Sequence, residues 1–333
     1  MVGVFSYDET LVVTTALIAE RLGLPGLTFR GADNCRNKHN TRRLLTAAGL
    51  PQPQFAYVTG ADEALATADS FGYPVVLKPR GMGASIGVIK VDGPEGVRAA
   101  FEVADAASRG GNSDYEGGVL VEECVMGPEI SIDGTVFDGD WNPLFLARKE
   151  VGLAPYFEET GHTVSATDPL LADPELLRVL KAAHRELGIG HGITHTEVKL
   201  TARGPVIIEV NARLGGDLIP YLAASPPAWN RVNWPRRSPR GLPARSPRSR
   251  ARSASASSTR SATARCGRST CPPRRTSRAA GGQRDGARRH HAAAAAGRYL
   301  SRYANLICAG ESFLACEESL AKAEALTTIV LDS

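Results

Sequence analysis

The sequence predicts an α+β fold in which antiparallel hairpins alternate with helices. Three observations lead there. Apolar, β-branched runs are joined by short turn signals, the clearest being Asp138-Gly139-Asp140 between Glu129–Phe137 and Trp141–Glu150. Helical periodicity appears in separate blocks between those runs. Repeated βαβ units, the mark of a parallel sheet, are not seen.

Residues 9–22 read as a helix, with apolar positions at Leu11, Val12, Ile18, Ala19 and Leu22, ended by Gly23 to Gly26. A second helix is expected over about 36–48, stopped by Gly49 with Pro51 beyond. A short strand at 54–58, a helix at 62–71 and a strand at 73–79 follow. A glycine-rich loop then leads into a partner strand at 86–91. A helix at about 94–106 and a buried strand at 119–125 precede the hairpin already named. Asp173 as N-cap and Pro174 at the first helical position open a helix to Leu187. Strands near 193–200 and 205–210 come next, and Gly215-Gly216-Asp217 opens a last helix to about Ala224.

Composition then changes abruptly. The net charge of +4 averages two unlike parts: residues 226–290 hold 17 arginines, no lysine and one acid, Asp285, whereas the rest holds 22 basic and 34 acidic residues. Residues 226–297 are rich in Arg, Ser, Ala and Pro with no period of 2 or 3.6. That composition permits a disordered linker. A basic tract also suits nucleic acid or an anionic surface, but no aromatic platform accompanies the arginines. The favoured expectation is a frame-shifted segment inside an acidic protein, since GC-rich codons for Ala, Gly, Val and Leu read out of frame give Arg, Pro and Ser. Order is expected to resume at Arg298, with a strand at 304–309, a helix at 312–326 and a strand at 328–331.

A chain of 333 residues is long enough for two or more lobes. No run of 18 apolar residues is present, so no membrane span is expected. The start lacks a basic region and cleavage site, so a secretory signal is not expected. Cys35, Cys124, Cys266, Cys271, Cys308 and Cys316 form no CxxC pair, and reduced structural thiols in a cytoplasmic protein are the simplest reading.

Two constellations carry chemistry. In Val75-Val76-Leu77-Lys78-Pro79-Arg80-Gly81-Met82-Gly83-Ala84-Ser85-Ile86-Gly87-Val88 a strand delivers a lysine to small residues whose backbone N–H groups can approach an anion. A Walker loop and a dinucleotide fingerprint both open a helix. Here a strand follows, so the loop is a hairpin tip able to fold over a nucleotide. In the second constellation, Glu209, Asn211 and Arg213 alternate along one strand and share a face, and Glu197 can join them from a paired strand. Carboxylate and amide oxygens suit Mg²⁺ with nucleotide phosphates, and arginine suits phosphate or a substrate carboxylate. Either constellation alone has a plain reading, as a flexible hairpin or a solvated strand edge; their co-occurrence favours a site.

From about Gly3 to Tyr221 the chain resembles the ATP-grasp superfamily of carboxylate–amine ligases. The resemblance implies two lobes of antiparallel sheet plus helices around a nucleotide. Asn37-Lys38-His39-Asn40-Thr41-Arg42 is similar to the lysine-bearing helix start, and Lys78 to the second phosphate lysine. Gly81, Gly83 and Ser85 fall in the mobile phosphate loop. Glu122, Glu123 and Val125 fall on the adenine hinge, with Glu122 expected to point at nucleotide or lysine. Glu129 falls on the ribose-binding acid. Glu197, Glu209 and Asn211 fall on the metal ligands, and Arg213 on the catalytic arginine. Within the superfamily, Gly192–Lys199 and Glu159-Thr160-Gly161-His162 look most like amino-acid ligases, with His162 and His195 as substrate contacts. Lys149 and Arg148 are candidates to meet a substrate carboxylate. Biotin-carboxylase-like enzymes, or a nucleotide-binding remnant without turnover, are the alternatives. The implied cofactors are ATP and Mg²⁺ (or Mn²⁺), and the implied partners a small carboxylate and an amine, with neither membrane nor nucleic acid. A homodimer is compatible with the pattern.

The expected organisation is a remnant of a preceding α/β domain at 1–50, with Val2–Phe5 as its last strand. One lobe with the glycine-rich loop spans 51–124, and one with the metal site 125–225. The Arg-rich segment covers 226–297 and a strand–helix–strand end 298–333.

Overall fold

A computed structural model describes residues 3–110, 113–152, 157–225, 229–233, 257–260 and 304–325. Among them no helix is long and apolar enough to cross a membrane.

Three helices lead in: α1 (Val12–Arg21), α2 (Phe29–Arg36) and α3 (Lys38–Ala47). The helix expected over about 36–48 is α3, with α2 as a separate helix before it. Asn37 leaves the helical region (φ −91°, ψ 96°), and its side chain accepts from the His39 N–H, so it caps α3. Helix α2 has no apolar stripe to announce it: its buried positions are Gly31, Ala32, Asn34, Cys35 and Arg36. Residues 3–5 are not a strand, which corrects the expectation for Val2–Phe5 over its described part.

The first sheet holds β1 (Phe55–Val58), β2 (Val75–Pro79), β3 (Ile89–Val91) and β4 (Val119–Glu123), in the order β1-β4-β2-β3 with every pair antiparallel. Helices α4 (Ala61–Phe71) and α5 (Val97–Ser108) cover one face, where Val58, Ala68, Val75, Leu77, Phe101 and Val121 form a core. Alternation sends Val76, Lys78 and Glu122 to the other face. The strand expected at 86–91 begins only at Ile89. Ala84, Ser85 and Gly87 all have positive φ (53°, 53° and 74°), so the chain turns there.

The second sheet has eight strands: β5 (Glu129–Phe137), β6 (Asp140–Gly152), β7 (Glu158–Ser165), β8 (Gly192–Thr201), β9 (Gly204–Asn211), β10 (Trp229–Asn233), β11 (Ser257–Arg260) and β12 (Ala304–Gly310), ordered β11-β12-β10-β7-β6-β5-β8-β9. The β5–β6 hairpin closes through Asp138 and Gly139, both at positive φ (50° and 81°), as a two-residue turn of this hand requires. Helix α6 (Pro174–Glu186), capped by Asp173, packs Leu176, Val179, Leu180 and Ala183 onto Ile130, Ile132, Val198, Ile207 and Val210. The short α7 (Ile219–Ala223) and α8 (Phe313–Ala325) complete the described chain.

Two strands of this sheet fall within 226–297, where the sequence shows no period. Strand β10 pairs with β7 and with β12, and β11 pairs with β12. Strand β7 was also unexpected, because its sequence, Glu-Glu-Thr-Gly-His-Thr-Val-Ser, buries polar residues: Thr160, His162, Thr163 and Ser165. The strand expected at 328–331 lies outside the described residues.

Candidate active site

One face of the second sheet is apolar and covered by α6; the other is a grid of charge. Register places Ser131, Glu197 and Glu209 in one row across β5, β8 and β9, with Asp133, His195 and Asn211 in the next. On the other side Lys149, Glu129 and Lys199 form a third row across β6, β5 and β8. Alternation then puts all nine on the same face. The small sheet presents Lys78 and Glu122 opposite, and a cleft of about 940 Å³, open mouth included, lies between them.

Thirteen of the seventeen residues singled out from the sequence line this cleft: Lys38, Lys78, Gly83, Ser85, Glu122, Glu123, Val125, Glu129, Lys149, Glu197, Glu209, Asn211 and Arg213. Gly81, Arg148, His162 and His195 do not. Gly81 packs against Tyr115, where a Cβ would meet the ring's own Cβ at 2.2 Å. His162 lies deeper, with Nε2 3.2 Å from Glu159 Oε2 and 3.7 Å from Asp217 Oδ2. His195 is held by Asp133, Nδ1 to Oδ2 at 2.9 Å.

The cations are anchored rather than loose. Lys78 Nζ lies 2.8 Å from Glu122 Oε2, and Arg42 Nε 2.8 Å from Glu122 Oε1. Arg42 also donates to the carbonyls of Ile207 and Ile208 on β9, so it ties the two sheets together behind the cleft. Burial alone pushes the Glu122 carboxyl up, but Arg42 and Lys78 outweigh it and hold it at about 2. For Lys78 burial wins, and its pKa is lowered despite Glu122. Lys38 donates to the Met82 carbonyl (2.5 Å) and pairs with Glu209 Oε1 (3.1 Å), which joins the glycine-rich loop to the acidic wall. Ser85 Oγ donates to the Phe157 carbonyl at 3.4 Å, so that loop also reaches the large sheet. Arg213 Nε lies 2.5 Å from Glu9 Oε2. Of the adjacent acids at the hinge, Glu122 faces inward to Lys78 and Arg42, and Glu123 turns to the rim to meet Arg203.

Lys149 is the hub. It is 3 % exposed, and its Nζ lies 2.9 Å from Glu129, 2.5 Å from Glu159 and 3.2 Å from Glu197. Burial opposes its charge, yet the three carboxylates hold its pKa well above the ordinary lysine value. It lines the cleft while paired with these three protein carboxylates. Arg148 pairs with Asp168 through two bonds of 2.8 and 3.0 Å, away from the cleft lining. Glu197 resists its own burial because Lys149 and His195 hold it at about 2.

Sequence reasoning missed Arg42, Glu9, Glu159, Asp133 and Asp217. Glu159 lines the cleft, and Glu159, His162 and Asp217 bring ligating atoms within 4.8 Å of one another, an arrangement that can hold a cation. Arg42 and Glu159 fall inside recognisable sequence motifs and Asp133 alternates with Glu129 and Ser131, but nothing in those patterns assigns the five residues a role.

Residues 71–221 match the ATP-grasp domain family. The chain contains an ATP-grasp domain. Its fold agrees with that of the L-amino acid ligase from Bacillus licheniformis, at a TM-score of 0.66 and 21% identity over 99% of this chain and 81% of that one. A biotin carboxylase from Campylobacter jejuni matches at 0.62 and 15% over 98% and 75%. By sequence, the ATP-grasp chain is 29% identical to the alanine–anticapsin ligase of Bacillus subtilis over 233 residues, 65% of this chain and 49% of that protein. It is 33% identical to an uncharacterized Sinorhizobium fredii protein over 230 residues, 66% and 45%. It thus spans about half the length of these curated relatives.

Proposed function

We propose that this protein is an ATP-dependent carboxylate–amine ligase that joins amino acids, or a similar small carboxylate and amine, through an acyl phosphate. The observation that carries the reading is the cleft itself. Three fixed cations, Lys38, Lys78 and Arg213, stand in one space with an oxygen-donor set of Glu197, Glu209 and Asn211. The similarity to alanine–anticapsin ligase favours amino acids over bicarbonate as substrates.

The donor set fits Mg²⁺. Glu197 and Glu209 face each other across β8 and β9. Their shortest contacts to Lys149, His195 and Lys38 are all made by Oε1, which suits them to offer Oε2 to a hard cation with few protein ligands. When bound, the metal supplies charge neutralisation for the phosphates. The chain's own residues do the rest. Lys78 and Lys38 sit where phosphate oxygens of ATP are to be held, and Arg213 adds positive charge beside the attacking carboxylate. The loop at Gly83–Ser85, tied to Lys38 and Phe157, covers the cleft and keeps water from an acyl phosphate. The apolar Val76, Val125, Val151 and Ile208 suit an adenine ring between the sheets. Glu129, next to Lys149 and Lys199, takes the ribose hydroxyls. Glu159, which lines the cleft and is backed by His162 and Asp217, offers a carboxylate to the ammonium of the amine substrate.

The test is ADP release over pairs of amino acids with Mg²⁺. Turnover that requires an amino acid is expected, and Glu209→Gln should lower it by roughly 100-fold or more while leaving the fold intact. ATP binding with no ADP release under any pair would refute the ligase reading; wild-type rates in the variant would remove Glu209 from the metal.

A further inference from the structure

We infer that Asp133 and His195 are a positioning pair that fixes the metal-binding carboxylate of Glu197 and couples it to the segment after β9. This rests on the metal reading above. Neither residue lines the cleft, yet both are buried polar side chains on the charged face of the sheet, 0 % and 4 % exposed. They are direct neighbours across β5 and β8, one row from Glu197 and Glu209.

Each oxygen of Asp133 has one partner. Oδ2 takes the His195 ring at Nδ1 (2.9 Å), and Oδ1 accepts the Gly215 N–H (2.6 Å). A carboxylate gripped on both sides cannot rotate, so it fixes the plane of the imidazole. The other ring nitrogen, Nε2, then points along the strand to Glu197 Oε1 at 3.7 Å. Lys149 Nζ approaches the same oxygen at 3.2 Å. Glu197 Oε1 thus has the Lys149 ammonium and the His195 Nε2 as its nearest cationic or N–H neighbours, an arrangement that orients the carboxylate to offer Oε2 to a ligand.

Gly215 is built into this arrangement. A Cβ there would lie 2.7 Å from His195 Nδ1, 2.9 Å from its Cε1 and 3.1 Å from Asp133 Oδ2. Only glycine lets the backbone come close enough to donate to Asp133. The Gly215 carbonyl in turn accepts from Tyr7 Oη at 2.5 Å. The chain Tyr7–Gly215–Asp133–His195–Glu197 therefore runs from the N-terminal segment to the acidic wall. Partners of this kind orient metal ligands, and removing one typically costs about 10- to 100-fold in metal affinity.

The experiment titrates Mn²⁺ by electron paramagnetic resonance in the presence of ADP, alongside ADP binding without metal and thermal unfolding. His195→Ala and Asp133→Asn should weaken Mn²⁺ binding about 10- to 100-fold, and His195→Gln, whose amide can still donate toward Glu197, should stay within about threefold of wild type. Metal-free ADP binding should not change in any of them. Should His195→Ala not fold, Asp133→Asn carries the same test. Wild-type Mn²⁺ affinity in Asp133→Asn, equal losses of Mn²⁺ and metal-free ADP binding, or no protein-bound Mn²⁺ in the wild type would each overturn the inference. A wild type that binds Mn²⁺ and ADP but never releases ADP from ATP with amino acids would sink the ligase reading and leave this one standing.

Discussion

Replacing Arg42 with alanine should be among the most damaging single changes in the described chain, although Arg42 does not line the cleft. Its side chain is 1 % exposed. It makes two bonds to Glu122, at 2.8 and 3.2 Å, and two to the β9 carbonyls of Ile207 and Ile208, at 3.4 and 2.7 Å. Its loss leaves a carboxylate that is 3 % exposed with Lys78 as its one remaining charged partner, and two strand carbonyls short of a donor. Breaking a buried ion pair from one side costs about 3–5 kcal/mol, because the surviving charge stays in a medium that solvates it poorly. A midpoint drop of roughly 10 °C corresponds to that cost for a protein of this size. Arg42→Lys should recover little, since an ammonium cannot bridge both Glu122 oxygens and the two carbonyls at once. Double replacement, Arg42→Met with Glu122→Leu, should not recover the loss, because it leaves the buried Lys78 without its carboxylate partner. Denaturant unfolding of the four proteins measures the series. A loss below about 1 kcal/mol in Arg42→Ala would mean that the pair is as weak as a surface one and that the argument from burial is wrong.

Two further outcomes follow from packing and protonation. Burial pushes the His184 ring down to about 4 from 6.5, with the Leu180 carbonyl opposing only in part. The neutral ring is favoured in the fold and the charged ring in the unfolded chain, so its stabilisation is complete above pH 6.5 and is lost as pH falls toward 4. The span corresponds to about 3 kcal/mol, and unfolding of wild type against His184→Gln across that range should show the variant lacking this slope. Gly134→Ala should destabilise by about 1–3 kcal/mol, since the new Cβ would fall 2.4 Å from Nε1 of the buried Trp141. Tryptophan fluorescence during unfolding reports both the loss and any displacement of the ring from its bond to Thr194.

Why some of this was legible in the sequence and some not comes down to which residues announce themselves. The strand Glu209-Val210-Asn211 follows an apolar run, and period-2 alternation fixes its polar face without knowledge of any neighbour. The same rule placed Glu197 and Lys78. Glycines and a two-residue Asp-Gly turn marked the loop and the β5–β6 hairpin. By contrast β7 buries threonines and a histidine, so a search for apolar strands passes over it. Strand β10 lies in the Arg-rich segment and gains its identity from β7 and β12, not from its own pattern. Helix α2 packs through Gly31, where a Cβ would meet the Gly188 carbonyl at 2.8 Å; close approach, not amphipathicity, decides it. Arg42 and Asp133 act across 80 or more residues of sequence, on Glu122 and Gly215, and no local period reveals such pairs.

The charge balance of the cleft ties these contacts to the proposed chemistry. Glu122, Glu129, Glu159, Glu197 and Glu209 each lie within 3.3 Å of a lysine or arginine nitrogen. Without ligand the site is already neutralised from within, with Lys38 on Glu209 and Lys78 on Glu122. A nucleotide brings several negative charges into that balance. Turning Lys38 toward phosphate strips Glu209 of its partner, and the bare carboxylate then faces the incoming anion, an arrangement that costs more as the cleft closes and the local dielectric falls. On the proposed reading Glu209 would help hold a divalent cation, whose charge would offset both the carboxylate left by Lys38 and the nucleotide. The lysines would then keep the acids of this wall in place in the unliganded cleft, and the same pairings would favour a metal–nucleotide complex over the free anion.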